Sequence, residues 1–294
     1  EQHVADDRSE FSSTETAAKL LLNRREAESR ELARVQVAGM TDSELMKLVY
    51  SASAEELIAT YTPDIALAVR LPQVIPDDIV VPAGQPWELI AEKRRVHPVP
   101  VMLGSNRDEM KFFMGFNPIY VTIVPGKEIR INDLEQYNLH ARYLSDRWAA
   151  LGVDEIARRL SAHNPDVYAY RFDWDEQPIS PEANLPQVFG AAHAMELPFV
   201  FNDFDGMELF AMNFTEQNRA TSERLAAEIG EYWANFAFTG QPARGRSGKL
   251  REWPRWGDGM KLILDTAPNG GRLQKGMVTM ESLNRRFLAD TTLP

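Results

Sequence analysis

The chain has 294 residues, of which 44% are hydrophobic and 26% charged, as in a globular protein of one large domain or two ordinary ones. Its net charge of -11 repels nucleic acid and anionic membrane surfaces, so we expect neither as a partner. Because cysteine is absent, disulfides, thiolate nucleophiles and cysteine-ligated metal sites are excluded.

The first third of the chain predicts short connected helices and then a proline-rich segment. Residues 1–12 are polar and aperiodic, as expected of a poorly ordered end, and the start at Glu1 leads us to expect a true N-terminus elsewhere. Helical spacing begins at Ser13, and capping boxes open at Thr41 and at Ser53. Residues 62–86 carry five prolines, which favours extended or looped structure up to a short helix over residues 87–93.

From residue 99 onward, strands alternate with helices. The first predicted elements are a strand over 99–103 that is buried on both faces and ends at Gly104, and a helix capped by Asn132 and broken at Gly152. A second helix over 153–163 and an alternating strand over 167–174 follow. The last predicted elements are a long helix opened by Thr215 and stopped by Gly240, a short strand over 261–265, and a closing helix over 277–288. This alternation predicts an α/β fold with a mainly parallel sheet flanked by helices.

One histidine stands out in residues 190–201, which read GAAHAMELPFVF. Gly190 and the two alanines after it leave room beside the imidazole of His193, and the apolar residues that follow can hold the segment against a core. A histidine held in this way titrates near neutral pH and can transfer protons. A partly buried structural histidine is the alternative interpretation.

Two adjacent carboxylates, Asp108 and Glu109, follow the strand predicted over 99–103. In an open α/β sheet, reacting groups gather on loops beyond the carboxyl ends of the strands. A carboxylate there that accepts from the ring N–H of His193 would fix its tautomer and stabilise the imidazolium. Acid first and histidine later is the order of the last two members of an α/β-hydrolase triad. Glu196 is either a structural carboxylate or a charge that tunes His193.

Four segments resemble the type-B carboxylesterases, the cholinesterase-like and para-nitrobenzyl-esterase-like group, and they occur in that family's order. They are VPVMLGSNRDEMKFF (99–113), GAAHAMELPFVF (190–201), YWANFAFTGQP (232–242) and WPRW (253–256). The resemblance implies an α/β-hydrolase fold with Glu109 as the triad acid and His193 as the triad base. It also implies a small-molecule carboxylic ester as substrate, and neither a metal nor an organic cofactor.

The sequence departs from the family pattern in one serious respect, the absence of any G-x-S-x-G in the 294 residues. Ser247 follows the histidine at the wrong spacing to be the nucleophile. Asp78, Met110 and Phe238 are milder departures, at positions where glycine, glycine and arginine are usual. We therefore expect residues 1–294 to be the C-terminal portion of a single esterase domain, and the N-terminal half with the nucleophilic serine to be a separate, cleaved or omitted chain.

Two functions remain open at this point. The first is a serine carboxylic ester hydrolase that is complete only with the N-terminal half; the alternative is a catalytically silent α/β-hydrolase-like interaction module. Met110 to Phe116 either line a substrate pocket or belong to the core. The other four histidines, His3, His97, His140 and His163, are interpreted as structural or solvated, and no two histidines have metal-ligand spacing.

Overall fold

The computed structural model of the chain describes residues 12–61, 78–84, 86–257, 259–266 and 271–290. It separates into two compact units, Glu1–Gly84 and Gln85–Pro294. Most of the poorly ordered end predicted over 1–12, namely residues 1–11, and most of the proline-rich segment, 62–77, lie outside the described residues. Ser12 is described, and it is the buried N-cap of α1.

The described part of the first unit is helical. Its helices are α1 (Ser13–Asn23), α2 (Arg30–Ala38), α3 (Asp42–Tyr50) and α4 (Ala54–Ile58). The capping boxes predicted at Thr41 and Ser53 are confirmed at the starts of α3 and α4. Asp78 adopts a φ of 58°, in the left-handed region that favours glycine, which is a physical reason for the glycine usual at this position in the resembled family.

The second unit is built on a four-stranded sheet with the order β1-β4-β5-β6. Its strands are β1 (Val101–Asn106), β4 (Val167–Phe172), β5 (Met260–Leu264) and β6 (Arg272–Lys275). β4 pairs in parallel with β1 and β5, whereas β6 runs antiparallel to β5, so the expected mainly parallel sheet is confirmed. The antiparallel hairpin of β2 (Val121–Val124) and β3 (Glu128–Ile131) is a separate sheet that the sequence pattern did not predict.

Helices flank this sheet and connect its strands. In chain order they are α5 (Pro86–Ala91), α6 (Glu109–Gly115), α7 (Leu134–Ala149), α8 (Glu155–Ser161), α9 (Leu185–Val188), α10 (Leu197–Val200), α11 (Glu208–Ala211), α12 (Glu216–Thr239) and α13 (Met280–Ala289). The predicted stop of the longest helix is confirmed, because Gly240 follows α12 with a left-handed φ of 77°.

Three local predictions differ from the structure. β1 begins at residue 101, runs through Gly104 to Asn106 and is only half-buried over its first four residues. Its register against β4 carries it past Gly104, since Ser105 and Asn106 pair with Arg171 and Phe172.

The helix predicted from Asn132 is capped instead by Asp133, whose carboxylate accepts from the Gln136 amide at 3.0 Å. The Asn132 side chain is used elsewhere, because its Oδ1 accepts from the Thr122 hydroxyl at 2.6 Å. Gly152 does not break the helix. It lies in a π-helical segment, Ala150–Asp154, that joins α7 to α8 without interruption.

Aromatic packing attaches the His193 segment to the end of β4. Phe199 of α10 is fully buried and lies 5.1 Å, between ring centroids, from both Phe172 and Trp174. Because β1 and β4 are parallel neighbours, this packing brings residues 190–201 beside the carboxyl end of β1. The apolar residues after His193 therefore act as the sequence pattern predicted.

Candidate active site

Glu109 and His193 meet beyond the carboxyl end of β1. Nδ1 of His193 lies 2.8 Å from Oε2 of Glu109, and the His193 amide also donates to the Glu109 carbonyl at 3.3 Å. Glu109 is the first residue of α6 and is 4% exposed, whereas His193 retains partial access to solvent. The structure thus brings together the two residues that the sequence singled out.

Asn106, the last residue of β1, connects the acid to the histidine segment. Its backbone amide donates to the other Glu109 oxygen, Oε1, at 2.7 Å. Its side-chain amide donates to the Ala192 carbonyl at 2.7 Å and to Oε2 of Glu196 at 2.5 Å. Both Glu109 oxygens are therefore hydrogen-bonded, which holds the carboxylate in one orientation towards the imidazole.

Asp108, the rival acid, faces a different set of partners. Its carboxylate accepts from the Arg107 guanidinium at 2.9 and 3.0 Å and from the Ala191 amide at 3.2 Å, and it lies 3.3 Å from the Lys111 ammonium. Gly190 leaves space for this contact, since a Cβ there would lie 2.6 Å from Oδ2 of Asp108. Asp108 holds the loop that carries the histidine and does not reach its ring.

The Glu109 contact decides which nitrogen of His193 carries the proton. An ionised carboxylate only accepts, so Nδ1 must be the donor and Nε2 of the neutral ring is left as the basic lone pair. The hydrogen bond to Glu109 raises the pKa of His193 above 6.5; burial opposes this, and the charges of Glu109 and Glu196 add to it. The ring is therefore a stronger base than free histidine.

Glu196 is a second carboxylate behind the pair. Burial raises its pKa above 4.5, although the hydrogen bond from Asn106 favours the ionised form. Its charge acts on His193. Both interpretations of Glu196 from the sequence, structural carboxylate and tuning charge, therefore have a physical basis here.

Aromatic rings surround the imidazole, and one of them was missed by the sequence reasoning. Phe113 stacks on His193 at 5.5 Å between ring centroids, and Phe112 meets it edge-on at 6.1 Å. Trp148, from the last turn of α7, lies closer, at 5.0 Å. The helical pattern around Trp148 indicated only a helix face, and nothing in the sequence linked it to a histidine 45 positions later in the chain. Met114, which the sequence placed either in a substrate pocket or in the core, is a buried residue of the hydrophobic core.

Two cavities help to delimit the site. The larger, about 570 Å³, lies between α5, the π-helical segment, α8 and residues 277–281, and neither Glu109 nor His193 lines it. The smaller, about 20 Å³, is lined by Phe112 of α6, by Phe116 directly after α6 and by further residues that are apolar except for Asn213, and Phe112 contacts His193. We place the chemistry at the hydrogen-bonded pair because no histidine is among the residues that line the larger cavity, and its carboxylates Asp154 and Glu155 are paired with Lys261 and with Arg158 and Arg159.

The remaining sequence candidates have structural contacts of their own. The Ser247 hydroxyl donates to Glu231 at 2.5 Å, His140 Nδ1 lies 2.9 Å from the Tyr120 hydroxyl, and His163 Nε2 lies 2.8 Å from the Ile90 carbonyl. His97 is exposed, and His3 lies outside the described residues. Within the described ranges, no group of three or more metal-ligating side chains is assembled. No helix in the part of the chain that the structure covers is long and apolar enough to cross a bilayer.

Comparison with known proteins relates this chain to one family. The sequence profile of the Carboxylesterase family matches residues 130–282. The chain is 29% identical to the para-nitrobenzyl esterase of Bacillus subtilis over 271 residues, which is 86% of this chain and 52% of that protein. It is 30% identical to the acylcarnitine hydrolase of Mus musculus over 231 residues, or 65% of this chain and 37% of that one.

The structure superposes on that of a carboxylesterase from Geobacillus stearothermophilus with a TM-score of 0.54 and 19% identity, covering 93% of this chain and 53% of the other. At that identity the likeness concerns the fold alone, and it confirms the expected α/β-hydrolase fold. The chain spans about half the length of the para-nitrobenzyl esterase and of the solved structure that it matches.

Proposed function

The chain belongs to the carboxylesterase family, and we propose that it supplies the general base and the orienting acid of a serine carboxylic ester hydrolase. His193 is the base and Glu109 is the acid. The 2.8 Å hydrogen bond between Nδ1 of His193 and Oε2 of Glu109 is the observation that carries this proposal.

The nucleophile, on this proposal, belongs to an N-terminal half of the same enzyme. Two observations support this partner. The chain matches 52% of the length of the Bacillus subtilis relative, and no G-x-S-x-G motif occurs in the 294 residues of this chain. Residues 1–294 are then the C-terminal portion of one α/β-hydrolase domain, and the two halves share the site.

The proposed reaction uses the two nitrogens of His193 in different ways. Nε2 takes the proton of the serine hydroxyl as its oxygen attacks the ester carbonyl carbon, while backbone amides of the N-terminal half bind the oxyanion. The carboxylate of Glu109 stabilises the imidazolium. His193 then returns the proton to the leaving alkoxide, and water, activated by the same base, hydrolyses the acyl-enzyme to the carboxylic acid.

The surroundings of His193 favour neutral, moderately apolar esters as substrates. Phe112 and Phe113 offer aromatic surface, whereas Glu109 and Glu196 disfavour an anionic group near the ring. Acidic substrates are therefore expected to react more slowly.

The test uses the enzyme assembled from both halves. A fluorophosphonate probe should label the N-terminal half, and His193→Ala should lower p-nitrophenyl ester hydrolysis by at least about 10³-fold. His163→Ala is the matched control, since that imidazole bonds to the Ile90 carbonyl instead of a carboxylate, and it should retain activity. Undiminished hydrolysis after His193→Ala would refute the assignment, and a folded assembly that neither hydrolyses esters nor reacts with the probe would support the silent interaction module.

A further inference from the structure

Three rings beyond the carboxyl end of β1 contact one another. The centroid of Trp148 lies 5.0 Å from that of His193 and 6.1 Å from that of Phe113, and Phe113 lies 5.5 Å from His193. The Phe113 plane is inclined by 24° to the imidazole and by 25° to the indole. The imidazole is thus packed against two aromatic side chains that also support each other.

Trp148 is held there by an unusual piece of backbone. It lies in the last turn of α7, directly before the π-helical segment Ala150–Asp154. A Cβ at Gly152 would lie 3.6 Å from Cδ1 of the indole, so the indole packs over the π-helical turn. π-Helical segments are rare and occur frequently at functional sites.

A hydrogen bond alone does not orient the histidine. The contact from Nδ1 to Glu109 restrains one atom of the ring, but χ1 and χ2 can still change together so that the ring turns about Nδ1 and the direction of Nε2 changes. Aromatic faces that contact the ring restrict this tilt. They also attract the positive charge that His193 gains when it accepts a proton, because both centroids lie within about 6 Å.

We propose that Trp148 is a positioning residue for His193, whose indole, supported by Phe113, fixes the plane of the imidazole and the direction of Nε2. This inference rests on the proposed function, in which Nε2 exchanges the proton. The charged groups that act on the ring, Glu109 and Glu196, are left unchanged by substitution of Trp148, so the effect of the indole is separable from theirs.

The first test is a titration of His193 by NMR in the assembled enzyme, followed at the ring Cε1 proton and assigned by its loss in His193→Gln. Trp148→Leu keeps an apolar side chain but removes the aromatic face, so the pKa of His193 should fall. Trp148→Phe should restore most of the difference. Trp87→Leu is the matched control, because Trp87 is 46% exposed against 36% for Trp148 and lines the larger cavity, away from His193.

The second test is kinetic, in the assembled enzyme. Trp148→Leu should lower kcat by about ten- to a hundredfold, because misdirection of a catalytic group has effects of that order, and should leave KM within about twofold. A purely structural role would lower the thermal stability without moving the His193 titration. The proposal is overturned if Trp148→Leu matches Trp87→Leu in both the titration and kcat. If the assembled wild-type enzyme hydrolyses no ester, the proposed function fails, while the titration still decides whether Trp148 controls the ring.

Discussion

Glu109→Gln is the substitution that tests the acid most directly. It keeps the size of the side chain and removes the charge. The carboxylate now accepts two hydrogen bonds, from the Asn106 amide at 2.7 Å and from His193 Nδ1 at 2.8 Å, in a setting that is 4% exposed. A glutamine offers one carbonyl oxygen and one NH₂ group, so its amide nitrogen must face one of these two donors.

Two outcomes bracket the size of the effect. If the glutamine oxygen stays on Nδ1, the loss is that of one charge-assisted hydrogen bond, about 1.5–3 kcal/mol, or about 10- to 150-fold in kcat. If the NH₂ group faces the ring, Nδ1 becomes the acceptor and Nε2 carries the proton. The base then has the wrong tautomer. The loss in kcat then approaches about 10⁴-fold, which is the effect of the corresponding acid-to-amide change in a Ser-His-Asp triad.

The assay is hydrolysis of a p-nitrophenyl ester by the assembled enzyme, together with the NMR titration of His193. Because the hydrogen bond to Glu109 is the largest cause of the raised pKa, Glu109→Gln should lower that pKa. Asp108→Asn is the matched control: it neutralises the neighbouring carboxylate, whose partners are Arg107, Lys111 and Ala191, and should cost less than about tenfold. A Glu109→Gln enzyme with more activity than Asp108→Asn would refute Glu109 as the acid.

Three further predictions concern pH and packing. The acid limb of kcat/KM should lie above pH 6.5, because His193 acts in its neutral form and its pKa is raised. The raised pKa also means that protonated His193 stabilises the fold below pH 6.5, and that this stability is lost as the pH rises through the folded pKa. His193→Gln should remove this pH dependence of stability. Burial raises the pKa of Glu196, so wild-type stability should fall as the pH rises from 4.5 through that raised pKa; in Glu196→Gln, urea unfolding should show a smaller fall, and an equal fall would contradict the assignment. Gly104→Ala should destabilise the fold by about 1–3 kcal/mol in thermal unfolding, because its Cβ would lie 2.1 Å from the Tyr170 ring. Gly230→Ala is the control and should not destabilise the fold, because a Cβ there meets nothing within 4 Å. Equal melting temperatures for the two variants would be inconsistent with this packing.

Elements with strong local signals were predictable from the sequence. The capping boxes at Thr41 and Ser53 and the stop of α12 at Gly240 depend on contacts within a few residues, and the structure confirms each. The hairpin of β2 and β3 and the edge strand β6 were missed. Their stability depends on cross-strand partners, and all four β6 residues are exposed, so no apolar pattern marks that strand.

The candidate active site was likewise predictable from the sequence only in part. Residue type, chain order and family resemblance were enough to select Glu109 and His193, because these features are written in short contiguous segments. Because Asp108 and Glu109 are neighbours in the chain, the sequence could not show which carboxylate contacts the histidine. In the structure, the turn into α6 directs Asp108 to Arg107 and Glu109 to the imidazole. Their catalytic roles remain predictions.

The sequence by itself determined which residue types are available for proton transfer, that strands and helices alternate, and that no serine elbow occurs in these 294 residues. Only the tertiary structure decided that Asn106 joins the acid to the histidine segment and that Trp148 packs on the ring. The physical reason is the range of the contacts: Asn106 lies 86 residues from Ala192, and such pairs come together only when parallel strands and their aromatic packing are in place.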